Sequence, residues 1–277
     1  MSSLMHQGRA SYAFFERNWN LAKRYLGWEI VWLCYNFINA LSITFISKNT
    51  QILGHVTQAQ VNYLTLYLVI GTSVWTYLSV TFEGVTDVIT FERWEGTIEY
   101  TFMAPISRLT HLVGSCWYAV AHGLAFTFVQ LLIVAAFFHL DLSHANYLTA
   151  IFMLLLGSVS FVGFGIGASV LPLLFTERGS QMSYIVRSVL LLISGVYYPI
   201  NVLPGWMQPA ARISPATYVL NGLRAGLQQN APIWSPTIWA STWPLLISGV
   251  ISIPLGLWVF GLAERYAKRT GRLKRNG

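Results

Sequence analysis

Five of the ten acidic residues lie between Glu83 and Pro105: Glu83, Asp87, Glu92, Glu95 and Glu99. Carboxylates at that density can ligate a metal or offer a charged face to a basic partner. No histidine or cysteine stands in register with them, which disfavours a transition-metal site. Val88, Phe91, Ile98 and Phe102 fit one apolar helical face, and Glu92, Glu95 and Glu99, at i, i+3 and i+7, fall on another. The spacing predicts one helix with an acidic face, suited to docking a basic partner. Its plain alternative is a solvated face paired locally with Arg93.

Other chemistry is sparse. His139 and His144 flank Asp141 but lack the His-Glu-x-x-His spacing of a zinc protease. Ser169 follows Gly167 and Ala168, yet the last apolar run supplies no histidine to activate it. Gly163, Gly165 and Gly167 read better as small residues that let helices pack closely. A phosphate-binding loop ends in Gly-Lys, whereas Lys23, Lys48, Lys268 and Lys274 follow Ala22, Ser47, Ala267 and Leu273. These residues therefore carry no nucleotide loop of that kind, and no catalytic, cofactor or metal site is expected.

The elements that must position these groups follow from composition. Of 277 residues, 55% are apolar and 10% charged, with a mean hydropathy of +0.53, where a soluble domain carries about 25% charged residues. The chain reads as an all-α membrane protein. Six apolar runs, at about 26–46, 61–82, 112–138, 147–175, 184–200 and 238–262, are candidate spans, each needing roughly 20 residues. Residues 1–25 carry Arg9, Glu16, Arg17, Lys23 and Arg24 without an apolar stretch and cleavage site, so the first span is expected to direct insertion. With both termini in the cytoplasm, fourteen basic residues lie inside, ending in Arg265, Lys268, Arg269, Arg272, Lys274 and Arg275, against Lys48, Arg212 and Arg224 outside. The net charge of +7 thus reports topology, and nucleic acid is not an expected partner. Cys34 and Cys116 read as packing residues. Glu29, near a span edge, and His122, deep in the third run, are the sparse ionisable groups at membrane depth, too few to suggest ion coupling.

Two further segments do not span. Tyr12, Phe15, Trp19, Ala22 and Leu26 recur at helical spacing, with Arg17, Asn20 and Arg24 on another face, which predicts an amphipathic helix in the cytoplasmic interface. Between Tyr197 and Pro236, six prolines and Trp206 and Trp234 break the chain into short pieces. Leu220, Leu223 and Leu227 mark a short amphipathic helix there, folded back into the outer interface.

The stretch Glu92-Arg93-Trp94-Glu95-Gly96-Thr97-Ile98-Glu99-Tyr100, followed by Met103-Ala104-Pro105-Ile106-Ser107-Arg108, resembles the signature between spans two and three of type 2 ABC exporter permeases. Tyr198-Pro199-Ile200, Leu203-Pro204-Gly205-Trp206-Met207, Ile213-Ser214-Pro215-Ala216-Thr217-Tyr218 and Leu223-Arg224 are similar to that family's hairpin before its last span, with Ser214 where the family often has Asn. The resemblance covers nearly the whole chain.

It implies one permease domain over 1–277: an amphipathic helix (1–25), spans one to five (26–200), an external re-entrant hairpin (201–237), span six (238–262) and a basic cytoplasmic tail (263–277). It further implies a bacterial inner-membrane half-transporter. A second copy or a paralogue completes the pathway, and two ABC ATPase subunits on separate chains hold ATP and Mg. Glu92, Arg93, Glu95, Gly96, Thr97, Glu99, Pro105 and Arg108 would couple to the ATPase, and Pro199, Pro204, Trp206, Pro215, Tyr218 and Arg224 would form the external gate. Trp32, Tyr35, Phe37, Tyr67, Trp75 and Tyr77 would face the pathway or membrane lipid. The implied cargo is a hydrophobic or amphiphilic drug or lipid, because these positions offer few groups to a glycan. A lipid-linked polysaccharide or glycolipid is the alternative, and an intramembrane enzyme or passive channel the alternative of another class.

Overall fold

The computed structural model describes residues 2–53, 57–138, 145–175 and 178–271, with the side chains of residues 2–4, 48–53 and 108–109 left out. The His139, Asp141 and His144 loop and the tail residues Arg272, Lys274 and Arg275 lie outside them. Every regular element among the described residues is helical: α1 (Ser2–Arg24), α2 (Leu26–Leu53), α3 (Gln58–Glu95), α4 (Ile98–Met103), α5 (Arg108–Phe138), α6 (Tyr147–Ala168), α7 (Val170–Leu174), α8 (Gly179–Ile193), α9 (Gln208–Ile213), α10 (Pro215–Gln229) and α11 (Pro236–Arg269).

Five stretches are long and apolar enough to cross a membrane: Leu26–Ser47, Gln58–Glu95, Thr110–Phe138, Tyr147–Leu174 and Pro236–Arg269. The fifth expected span, 184–200, differs. Its helix is α8, 15 residues long, which reaches about 22 Å against the roughly 30 Å of a hydrocarbon core. The chain leaves the helix after Ile193 because Gly195 takes a positive φ of 70° and Pro199 follows. The last span continues as helix to Arg269, through Pro244 and Pro254.

α3 is the central helix. Ile70, Tyr77, Leu78, Phe82 and Ile89 are fully buried on it. Two of its buried hydroxyls are satisfied within the helix, Thr72 donating to the Leu68 carbonyl at 2.9 Å and Thr76 to that of Thr72 at 2.9 Å, whereas those of Ser73, Ser79 and Thr81 have no hydrogen-bond partner among the described residues. Back-bonding of this kind satisfies a buried hydroxyl without a partner from another helix. α6 packs on α3 at one side and on α11 at another, both through small residues. A Cβ on Gly163 would come within 2.6 Å of the Ser252 Cβ, and one on Gly165 within 3.0 Å of the Val85 Cβ. Gly167 has only ordinary contact, 3.9 Å to Gly256, so the packing role falls on the first two glycines.

The first helix departs from expectation in its orientation. α1 lies along α5, which meets its Gln7, Ser11, Phe14 and Phe15, while Arg17 reaches Glu92 of α3. Gly114 makes the approach possible, since a Cβ there would meet the Ser11 carbonyl and stand 2.9 Å from the Phe14 Cβ. The stripe Tyr12, Phe15 and Trp19 stacks on itself, with ring centroids 6.3 Å apart at each step, and Tyr12 and Trp19 are exposed. The stripe therefore flanks the packing face, and Arg17, expected on the solvent face, turns inward.

Candidate functional site

The residues Glu92 to Arg108 form a corner between α3 and α5, and local rules explain its shape. The chain forms two helices here where the spacing predicts one, because Gly96 adopts φ 73°, ψ 16°, a left-handed conformation favourable to glycine. The Gly96 amide donates to the Arg93 carbonyl at 3.2 Å and the Thr97 amide to that of Glu92 at 2.9 Å. These are the two bonds of a Schellman closure. The Glu-Arg-x-x-Gly-Thr pattern is thus the C-terminal cap of a 38-residue helix, which at 1.5 Å per residue is about 57 Å long and outruns a bilayer core. Glu83 and Asp87 ride on that same helix, where Glu83 pairs with Arg187 of α8.

The cap divides the acidic residues, so the single acidic face is corrected. Glu92 is buried, 1% exposed, while Glu95 is exposed and Glu99 half-buried on α4. Arg17 Nη1 lies 3.3 Å from Glu92 Oε1, and His111 Nε2 is 3.0 Å from the same oxygen. Phe14 covers the His111 ring at 4.7 Å. Arg93 is buried too and donates to the Leu173 carbonyl of α7. The solvated face of the alternative reading therefore does not hold for Glu92 or Arg93. Around them the outer surface of the corner is apolar: Phe91, Trp94, Tyr100 and Met103 are exposed, the last at 80%.

The Pro-Ile-Ser-Arg turn is equally specific. Pro105 is exposed, and the Ser107 hydroxyl accepts the Thr110 amide at 3.0 Å, capping α5 as its N-terminal serine. Gln7 of α1 reaches this cap, with its carbonyl oxygen accepting the Ser107 amide at 3.2 Å and the Thr110 hydroxyl. Arg108 opens α5, and its side chain lies outside the described residues. α1, α3 and α5 consequently meet at Glu92, and α1 is joined to α5 a second time through Gln7.

At the other end of α3, the hairpin residues assemble as a second cluster. Pro215 starts α10 at a position that needs no amide donor. Ser214 and Ser194 share a hydrogen bond at 2.8 Å, and Thr217 donates to the Ala211 carbonyl at 2.8 Å. Tyr218 donates to the Arg212 carbonyl at 2.5 Å. Leu220, Leu223 and Leu227 are buried, as their spacing predicts. Arg224 donates to the carbonyls of Gly195 and Val196 at 3.2 and 2.9 Å and lies 3.5 Å from the Tyr67 ring centroid. Burial pulls its pKa down to about 10, against the raising effect of Tyr67 and Tyr63, so it stays protonated at neutral pH. Pro199, Pro204 and Trp206 are exposed at the rim.

The aromatic candidates for a pathway separate by burial. Trp32 and Tyr35 are exposed on α2, edge to face at 5.7 Å. Phe37 packs against Phe137 at 6.3 Å, and Tyr67 is covered by Arg224. Trp75 and Tyr77 lie inside the chain's own core. His122 has a partner that its sequence position does not reveal: Glu29 of α2, at 3.1 Å, with Tyr118 stacked on the ring at 5.4 Å. Ser169 donates to the Ile166 carbonyl at 2.6 Å within its own turn. No group of three metal-binding side chains occurs among the described residues.

Sequence reasoning missed His111 and the inward role of Arg17. A signal existed in the first case, since His111 is the lone histidine in the first turn of an otherwise apolar helix. Nothing in the spacing of Arg17 distinguishes it from Arg24.

The family model described as ABC-2 type transporter matches residues 10–227, a stretch that takes in most of α1, the capped corner and the hairpin as far as Leu227. Over 73 residues the chain is 30% identical to the "Probable doxorubicin resistance ABC transporter permease protein DrrC" of two strains of Mycobacterium tuberculosis. That match spans 26% of this chain and 26% of those relatives. A family match over most of the chain, together with several helices apolar enough to cross a bilayer, makes this a multi-pass membrane protein and a permease, and the chain belongs to the ABC-2 type transporter family.

Proposed function

We propose that this chain is the membrane subunit of an ATP-driven exporter, moving a hydrophobic or amphiphilic drug or lipid outward, with hydrolysis on two copies of a separate ATPase. The observation that carries this reading is the corner where α1, α3 and α5 converge on Glu92. An exposed apolar surface made of Phe91, Trp94, Tyr100 and Met103 offers an area for a partner protein, and the junction of Arg17 and His111 on the buried Glu92 fastens that surface to two long helices. A push on α4 is then transmitted along α3, against which α2, α5, α6 and α10 pack. Glu95 and Glu99 add charge at the rim, where it steers association more than it holds it.

In this reading α8 and the turn after it complete a sixth crossing, both termini lie in the cytoplasm of a bacterial cell, and the hairpin α9–α10 caps the exit on the outside. A second copy or a paralogue supplies the other half of the pathway. The chain holds no ATP, Mg or catalytic site itself. The doxorubicin resistance named for the similar proteins supports a hydrophobic drug as cargo, as do the exposed Trp32 and Tyr35 on α2.

The test is purification of the chain from native membranes in mild detergent, with identification of co-purifying proteins and an assay of ATP hydrolysis. A stoichiometric ATPase is expected. Its retention should fall in the variant Trp94→Ala/Tyr100→Ala and change less in Glu95→Gln/Glu99→Gln. An intact, folded preparation without an ATPase, or equal retention in both variants, refutes the docking role of the corner.

A further inference from the structure

Arg224 is a cation without a described counter-ion. No acidic side chain among the described residues pairs with it. Carbonyl dipoles and a tyrosine face stabilise a guanidinium but leave its charge uncompensated. Its Nε is buried with no hydrogen-bond partner, and so is Nε2 of Gln228, one turn further along α10. Both residues line a pocket of about 290 Å³ together with Tyr63, Ser194, Asn221 and Thr237. The unsatisfied buried groups of the pocket are therefore donors beside a fixed positive charge, which is complementary to an anion.

The depth of the pocket says which anion. Trp206 and Trp234 are exposed at this end, and Trp239 and Trp243, 5.9 Å apart on the first turns of α11, are exposed as well. Tryptophans concentrate at the headgroup level of a bilayer, and Thr237 of the pocket lies between Trp234 and Trp239 in the chain. At that level the abundant anion is a lipid phosphate.

We propose that the pocket between α3, α10 and the turn after α8 binds a phosphate group, supplied by the headgroup of an anionic lipid, with Arg224 and Gln228 as donors. The bound phosphate neutralises Arg224 and ties α10 to the Gly195–Val196 turn. This inference uses the membrane placement of the chain and none of its transport activity, so it stands or falls separately from the exporter reading.

The experiment is a thermal unfolding series on the delipidated full chain in mild detergent, titrated with dihexanoyl phosphatidylglycerol, dihexanoylglycerol or inorganic phosphate. A saturable rise in the unfolding midpoint is expected with phosphatidylglycerol and none with dihexanoylglycerol. A comparable rise with inorganic phosphate supports the phosphate site and assigns it to the free ion as well, whereas a rise with lipid alone assigns it to the headgroup. Gln228→Leu leaves the two carbonyl bonds of Arg224 untouched and should need about tenfold more ligand. Arg224→Lys should retain part of the response and Arg224→Gln none. An equal response in Gln228→Leu, or an equal rise with dihexanoylglycerol, overturns the proposal. So does a stronger phosphate response in Asp141→Asn, since that would identify Asp141, five residues before the Asn146 that bonds Gly226, as the resident counter-ion.

Discussion

His111 Nε2 stands 3.0 Å from Glu92 Oε1, on the same oxygen that Arg17 reaches at 3.3 Å, although the residues come from three helices. With the carboxylate ionised, the imidazole donates through Nε2 and the guanidinium supplies the charge. Glu92 is 1% exposed while the Arg17 side chain is 40% exposed. The carboxylate is thus the committed member, and the arginine can return to solvent when its partner is lost.

That asymmetry orders the variants. Glu92→Gln leaves Arg17 free to rehydrate and should cost about 1–3 kcal/mol, below the roughly 3–5 kcal/mol of a pair buried on both sides. Arg17→Gln strands a buried carboxylate on His111 alone and should cost at least as much. The double variant should be no less stable than the worse single one, because the two act through one contact. Thermal midpoints of the four proteins test this, and strictly additive losses would show that Arg17 and Glu92 act apart.

The attachment of α1 can be broken without touching charge. Gly114→Val places side-chain atoms where the Ser11 carbonyl and the Phe14 Cβ already stand. α1 should lift from α5 while the remaining helices keep their packing. The expected signature is faster proteolysis between Arg9 and Arg24, with loss of ATPase retention. Protection equal to the unchanged chain would mean that the α1–α5 contact is not the one that holds the helix.

These two predictions also mark what the sequence could and could not disclose. Five long apolar helices and the hairpin helix α10 are legible because each has a local cause, apolar length or a proline at N1. The end of α8 at Gly195, the break at Gly96 and the inward face of α1 are not legible in this way. In each case the pattern of apolar residues is the same for two structures, and a single glycine conformation or a tertiary contact decides between them. The pair Glu29–His122, across 93 residues, was hidden for a simpler reason, since distance in sequence carries no register between helices.

Ser169 and Gly163 separate an enzyme from a packed bundle. The Ser169 hydroxyl is engaged with the Ile166 carbonyl inside its own turn, and such back-bonding contributes little to stability. Ser169→Ala should therefore be neutral in both stability and transport. Gly163→Leu should be severely destabilising, because the added side chain meets the Ser252 side chain and backbone at the α6–α11 contact. Transport assays and unfolding midpoints on both variants decide it, and loss of activity in Ser169→Ala with an intact fold would reopen a nucleophilic role.

The side of the membrane on which the hairpin lies is tested at Gly205. No atom stands within 4 Å of a Cβ built there, and the neighbouring Trp206 is 79% exposed, so Gly205→Cys should be accommodated without strain. Cys34 is exposed and Cys116 buried, and both must first be replaced by alanine. An impermeant thiol reagent added to intact cells should then label position 205 rapidly, while a cysteine at exposed Met103, at the other end of α3, should react only after the membrane is opened. The proposed orientation requires the two sites to behave oppositely. Labelling of Met103→Cys in intact cells with protection of Gly205→Cys would invert the protein, place the corner outside and remove it from any contact with a cytoplasmic ATPase.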